Sequence, residues 1–379
     1  MRVTNFQIYK SGSNYKFSAD FIFDYPSLSS RLANLSSFFD NHLGGRHTIW
    51  FKVPLTHADT DSYQDGFFTI AMAFAFIRHE DLIFEGKVKD SILAKYEEFK
   101  KYYAFDTGVE YNLKIYHQGI QENLPKKRGV AQFFTLGLDS FYTLLCHQPN
   151  YKKLKRDLLF VGGYDIPLEK RSFLNQIYRR IKVVAKQVGG REVFIETNLR
   201  VLSNPIVNWG RYHMSALATS AMFLNYKHVI INGESFEFPD WGLRHGIDEL
   251  FSNNQTHFSY AAHNMTRDKK IRGLQKSPLF SLVIAHLRVC WENILSEPVP
   301  YNCSNCQKCI RTQLNLLGLG VNKLPTFKQI NPGKLSSLTI VDHVQKEWQT
   351  LYKMLINKRD IDPKIISAIW TVLQKPLRR

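Results

Sequence analysis

Long hydrophobic runs are missing from this chain of 379 residues. The longest nearly apolar stretch, 67–77, is too short for a membrane-spanning helix. The opening Met1-Arg-Val-Thr-Asn-Phe-Gln7 has no signal-peptide apolar segment, so a cytoplasmic setting with no membrane partner is expected. Cysteine is scarce, five in all, which argues against the disulfide framework of a secreted protein. Acidic residues are also in short supply: 33 Asp and Glu face 50 Lys and Arg, for a net charge of +17. That balance suits a polyanionic partner, whether tRNA, DNA, an acidic protein or a nucleotide. The basic residues nevertheless gather only in small clusters, at Lys126-Lys127-Arg128, 152–156 and Arg378-Arg379. With no arginine-rich tract and no nucleic-acid module signature, nucleic acid is not the favoured partner.

What is present is an ordinary globular composition, 44% hydrophobic and 22% charged, in a chain long enough for two domains or one domain with additions. Residues 1–122 alternate strand-like and helix-like stretches and read as an N-terminal α+β unit. Strands are expected at 48–53, 81–84 and 109–116, a buried helix at 66–76 and an amphipathic helix at 91–103. Residues 123–128, with Pro125 and three basic residues, read as a linker. From there to about residue 320 strands and helices alternate regularly, predicting an α/β fold with a doubly wound parallel sheet. Further strands are expected at 130–134, 157–161, 192–196 and 228–232, and the helix carrying Phe173, Leu174, Ile177 and Ile181 should stop at Gly189-Gly190. A tail, 321–379, carries Trp348, Leu351, Leu355 and later Ile365, Ile366 and Ile369 at helical spacing, the pattern of helices docked on a main domain.

In such sheets ligands sit beyond the carboxyl ends of the strands, and the polar residues gather there: Asp139, Ser140, Asp165, Thr197, Asn198, Asn232 and Glu234. His213 stands at a helix start, as a contact or as a capping and packing residue. Arg267 and Lys270, three apart on a predicted helix, suit either a phosphate or carboxylate clamp or a solvated basic face. The stretch that organises the rest is 130–145, an apolar strand, a tight turn Thr135-Leu136-Gly137-Leu138-Asp139-Ser140, then a helical stripe of Phe141, Leu144 and Leu145. Strand, turn and helix in that order aim backbone N–H groups at an anion, although an ordinary βα turn can look the same.

The turn resembles the Ser-Gly-Gly-x-Asp-Ser loop of the PP-loop ATP pyrophosphatases, which cleave ATP between the α and β phosphates and form adenylates. On that resemblance residues 135–140 hold ATP, Gly137 lets the backbone approach pyrophosphate, and Asp139 orders the loop or Mg²⁺–ATP. The departure is Leu136, where the family has glycine. If the position requires φ > 0, leucine there costs on the order of 1–2 kcal/mol.

Four of the cysteines crowd together as Cys290 and Cys303-Ser-Asn-Cys306-Gln-Lys-Cys309, a four-thiolate set suited to structural zinc, with an iron–sulfur cluster as the competing reading. A phosphate loop followed by this knuckle resembles 7-cyano-7-deazaguanine synthase. The stretches 161–167, Trp209-Gly-Arg-Tyr-His213, 241–248 and Leu287-Arg-Val-Cys-Trp-Glu-Asn293 look like a divergent branch of that family, whose members occur in anti-phage operons. The resemblance implies an ATP-, Mg²⁺- and Zn²⁺-dependent ligase. It would activate a small deazaguanine-like carboxylate, such as 7-carboxy-7-deazaguanine, for attack by ammonia or a protein amine. Asp139, Ser140, Arg267 and Lys270 would serve catalysis, and Thr135 to Ser140 with Asp165 and Glu234 would contact the nucleotide. Two other readings stay open: a tRNA-modifying PP-loop enzyme, and a nucleotide-binding module that has lost catalysis.

Overall fold

The computed structural model describes residues 1–23, 45–121, 128–147, 155–204, 207–233, 246–263 and 265–377. Its centre is one ten-stranded sheet, of strands β1 (Arg2–Ser11), β2 (Asn14–Phe23), β3 (Gly45–Pro54), β4 (Leu82–Phe84) and β5 (Ile115–His117), then β6 (Arg128–Phe133), β7 (Arg156–Gly162), β8 (Glu192–Thr197), β9 (Tyr226–Asn232) and β10 (His257–Ala261). The spatial order is β10-β9-β6-β7-β8-β3-β2-β1-β4-β5. The run from β10 to β8 is parallel throughout, β8, β3, β2 and β1 pair antiparallel, and β4 and β5 return to parallel pairing. This is an α/β fold with a mostly parallel central sheet, compatible with the doubly wound arrangement expected.

Each face of the sheet is buried by helices. Tyr63–Arg78, apolar nearly all round, packs with Trp209–Met222 against Phe17, Phe51, Val193, Ile195 and Val229. Leu138–Leu145, Arg171–Gln187 and Arg267–Gln275 bury their apolar sides on Leu158 and Phe160, on the opposite face. Alternate strand residues point to opposite faces, so the parallel strands read as continuous apolar runs. A third core forms where Ile310 and Leu314 meet Trp348, Leu351 and Ile369 of the tail helices Gln345–Leu355 and Pro363–Leu373.

The N-terminal strands are joined to the parallel ones through a short seam. Only Phe51↔Thr197 and Lys52↔Glu196 pair between β3 and β8. The ladder is then continued by a side chain: Asn198 accepts from the Trp50 N–H at 2.9 Å and donates to the Thr48 carbonyl at 2.9 Å, as a backbone amide would. Thr197 adds a bond from its hydroxyl to the Trp50 carbonyl.

Several expectations need adjusting. The hairpin β1–β2, turning at Gly12 with φ +60°, and the edge strand β10 were not anticipated. The helix expected over 91–103 is two helices, Asp90–Leu93 and Tyr96–Thr107, and the strand expected over 109–116 reduces to β5. Residues 123–127 of the expected linker lie outside the described residues, and Arg128 already belongs to β6. Among the described residues no helix is long and apolar enough to cross a membrane.

Candidate functional site

The chain leaves β6 and goes on to β7 and β8 on one side, then returns to place β9 and β10 on the other. The crevice between β6 and β9 is therefore a topological switch point, where open α/β sheets bind ligands. A pocket of about 190 Å³ lies at this carboxyl end, lined by Thr135, Gly137, Leu138, Asp139 and Ser140 of the loop and by Asp165, Asn232, Arg267, Arg288, Trp291 and Lys308.

The loop has the left-handed backbone at the position where leucine stands in place of glycine. Leu136 adopts φ +62°, in the left-handed region, with its side chain fully buried in the core on that face of the sheet. Strain of about 1–2 kcal/mol is offset by burying the leucine, worth about 1.5–3 kcal/mol. The Leu136 carbonyl accepts from the Arg288 N–H at 2.9 Å, which ties the turn to the segment before Cys290. Gly137 follows in extended conformation as the N-cap of Leu138–Leu145, and no described side chain caps that helix. A Cβ on Gly137 would approach the Thr135 hydroxyl to 3.1 Å, so the missing side chain keeps the helix N-terminus open to the pocket.

Asp139, in the first helical turn, bonds the Lys270 ammonium at 2.6 Å. Lys270 is completely buried and donates also to the Gly233 carbonyl at 2.7 Å. Burial alone would raise the Asp139 pKa, but Lys270 and Arg267 outweigh it and hold the carboxyl below its ordinary range. Behind the loop, Gln132 spans three strands: its amide donates to the Ser140 carbonyl and to Asn232 Oδ1, and accepts from the buried Arg156. Asn232 in turn donates to the Phe133 carbonyl. The Ser140 hydroxyl donates back to the Gly137 carbonyl at 2.9 Å.

The structure gathers most, not all, of the residues that the sequence singled out. Arg267 lines the pocket while donating to Thr312 and standing 3.6 Å from Glu347 of the tail. Asp165 reaches it from a turn that only glycine permits, since Gly163 has φ +96° and a Cβ there would fall 1.9 Å from the Thr197 carbonyl. It is half-exposed and 3.5 Å from Arg200. Thr197 and Asn198 serve the sheet seam instead. His213 is not part of the pocket lining; its Nδ1 faces the Gly210 carbonyl, and burial pushes its pKa down to about 4. Glu234, residues 241–245 and several of the basic cluster positions lie outside the described residues. In the sequence Arg288, Lys308 and Trp291 stand out only as neighbours of cysteines, and Gln132 only as part of a strand. No local signal marks Arg288, because its burial and its bond to the Leu136 carbonyl come from tertiary packing.

Cys290, Cys303, Cys306 and Cys309 bring their sulfurs within 4.8 Å of one another and could hold a metal ion. The pairs Cys290–Cys306 and Cys303–Cys309 stand 4.0 and 3.9 Å apart, unlinked by disulfide. A tetrahedral ion with metal–sulfur bonds of about 2.3 Å sets its sulfurs about 3.8 Å apart, so the set fits one ion. The N–H groups of Cys306 and Cys309 donate to the sulfurs of Cys303 and Cys306, bonds that steady thiolates. Cys306 is also the N-cap of Gln307–Gly318, the helix that carries Lys308 to the pocket. Cys146, the fifth cysteine, is half-buried after the loop helix, and burial raises its pKa. Comparison with protein families, curated proteins and solved structures gives no match.

Two expected outcomes follow from this geometry. At most positions glycine destabilises more than alanine, but a left-handed residue reverses the order by about 1 kcal/mol. Leu136→Ala should therefore cost about 2–5 kcal/mol in urea unfolding and Leu136→Gly about 1 kcal/mol less. Alanine proving the milder change would refute the left-handed turn. Lys270→Met should destabilise by about 1–3 kcal/mol near neutral pH by leaving the Asp139 carboxylate, partly hydrated at the pocket, without its ammonium partner. The depressed pKa of Asp139 gives stability that is fully present above about pH 4, the unfolded value, and is lost as pH falls through the lower folded value. The gap between parent and variant should accordingly narrow towards pH 3; a constant gap would mean that Asp139 is not the partner that matters.

Proposed function

We propose that this chain is an ATP-dependent, adenylate-forming enzyme of the 7-cyano-7-deazaguanine synthase type. The observation that carries the reading is the open helix N-terminus at Gly137, set at the sheet's switch point beside Arg267 and Lys308. Uncapped N–H groups and convergent cations are what a polyphosphate requires. The pocket volume, about 190 Å³, suits the phosphate portion of a nucleotide rather than the whole of it.

In this reading the first-turn N–H groups and Lys308 take the phosphate oxygens, and the Asp139–Lys270 pair keeps the loop against the end of β9. Asp139 and Asp165 are the pocket carboxylates that would hold Mg²⁺, which supplies charge neutralisation for departing pyrophosphate. A substrate carboxylate oxygen attacks the α-phosphorus, the α–β bridging bond breaks, and pyrophosphate leaves with that electron pair. Ammonia or a protein amine then attacks the acyl carbon, loses a proton and expels AMP. Zinc is our choice for the four-cysteine site. The sulfurs stand too close to enclose the sulfide-bridged irons of a cluster, and four thiolates leave the ion no open position for chemistry. Its part would be to fix Lys308 and Arg288 relative to the loop.

A second reading rests on bonds already made inside the loop. The Ser140 hydroxyl is given to Gly137, and Lys270 to Asp139 and Gly233. With those groups occupied by protein, the pocket would bind a nucleotide without turning it over.

Purified protein given α-labelled ATP, Mg²⁺ and 7-carboxy-7-deazaguanine, with and without ammonia, should release AMP only when the deazaguanine is present. ATP that binds and stays intact under every condition would favour the second reading and sink the first. Metal analysis should find one zinc per chain, and Cys306→Ser should lose it together with AMP release. Iron with a charge-transfer absorption would displace zinc from the proposal.

A further inference from the structure

The cations at the pocket and behind its loop fall into two groups. Lys270, Arg267 and Lys308 all act on Asp139, beside the loop. Arg288 does not belong with them. It is 5% exposed, lines the same pocket, and its Nε and Nη2 have no hydrogen-bond partner among the described residues. Its guanidinium lies 5.5 Å from the Phe173 ring, and the nearby carboxylate of Asp165 is 3.5 Å from Arg200. Its backbone is pinned by the bond to the Leu136 carbonyl, so its position is fixed relative to the loop. A buried guanidinium with idle donors is unfavourable in the free protein, and such a group persists where a ligand brings the missing acceptors. Three residues on, Trp291 lines the same pocket with 60% of its surface exposed, offering an indole face at the mouth.

We propose that Arg288 receives the carboxylate of the substrate and that Trp291 flanks its planar ring, which makes these two residues the specificity determinants of the site. This deepens, and rests on, the adenylation reading above. The planar fork of arginine matches two carboxylate oxygens, whereas the phosphates have the helix N-terminus and Lys308. The bond from Arg288 to Leu136 would set the carboxylate beside the phosphates that it must attack.

The test is calorimetric titration of the parent, Arg288→Met and Arg288→Lys with three probes: 7-carboxy-7-deazaguanine, 7-deazaguanine without the carboxylate, and Mg²⁺–pyrophosphate. The parent should bind the carboxylate probe more tightly than 7-deazaguanine. Arg288→Met should weaken only the carboxylate probe, by roughly 10–100-fold, and Arg288→Lys should fall between. The ligand-free Met variant should melt close to or above the parent, since Nε and Nη2 of Arg288 make no hydrogen bond whose loss would cost stability. Three results would overturn the proposal: equal affinity of the parent for the two deazaguanines, loss of pyrophosphate rather than carboxylate binding in Arg288→Met, or a melting point well below the parent. Failure of the underlying reading looks different. A parent that binds the carboxylate through Arg288 but takes no pyrophosphate supports this proposal while rejecting the phosphate loop.

Discussion

A buried ammonium holds this site together. Lys270 has no exposure to solvent, and its two protein partners come from different parts of the chain, Asp139 of the loop and the carbonyl of Gly233 just past β9. Taking a charge out of water costs several kcal/mol, and only close partners with good geometry recover it. The helix Arg267–Gln275 that supplies the lysine is therefore locked against both neighbours of the switch point. The loop conformation, the opening of the pocket between β6 and β9 and the approach of Arg267 all depend on that ion pair being made.

Around it the site is assembled from remote segments by polar groups that the core cannot leave unmatched. Gln132 stitches Arg156, Ser140 and Asn232 into one network beneath the loop. Arg267 and Arg311 converge on Glu347, which brings the tail helix into the wall behind the pocket. The four cysteines close the remaining side, with Cys290 in the lining itself and Cys306 capping the helix of Lys308.

The parallel half of the fold was readable because its strands are buried on both faces and its helices are amphipathic. Phe173, Leu174, Ile177 and Ile181 form the helix face that their spacing announces, and the helix stops at Gln187, before Gly189-Gly190. The cysteine cluster was readable because the spacing of thiols on a tight turn dictates their convergence. Residues whose meaning depends on distant partners were not. Nothing local says that Gln132, within an apolar strand, joins three others, or that Arg288 is buried with open donors. Leu136 is an intermediate case: the sequence left open whether its position is left-handed, and the structure gives it that backbone while burying the side chain, which offsets the strain. The hairpin β1–β2 escaped notice because β1 is mostly exposed and its burial alternates only weakly.

The seam between β3 and β8 bears on how the chain is made. Trp50 and Asn198, which bond across it, lie 148 residues apart. During synthesis the free edge of β3 has no partner until β8 has left the ribosome, so the hairpin sheet waits with unpaired backbone along one side. Such long-range pairing slows folding, and open edges recruit other chains. The seam is short, two residue pairs extended by one asparagine amide, so β8 covers only a small part of that ten-residue edge even when the two halves are joined.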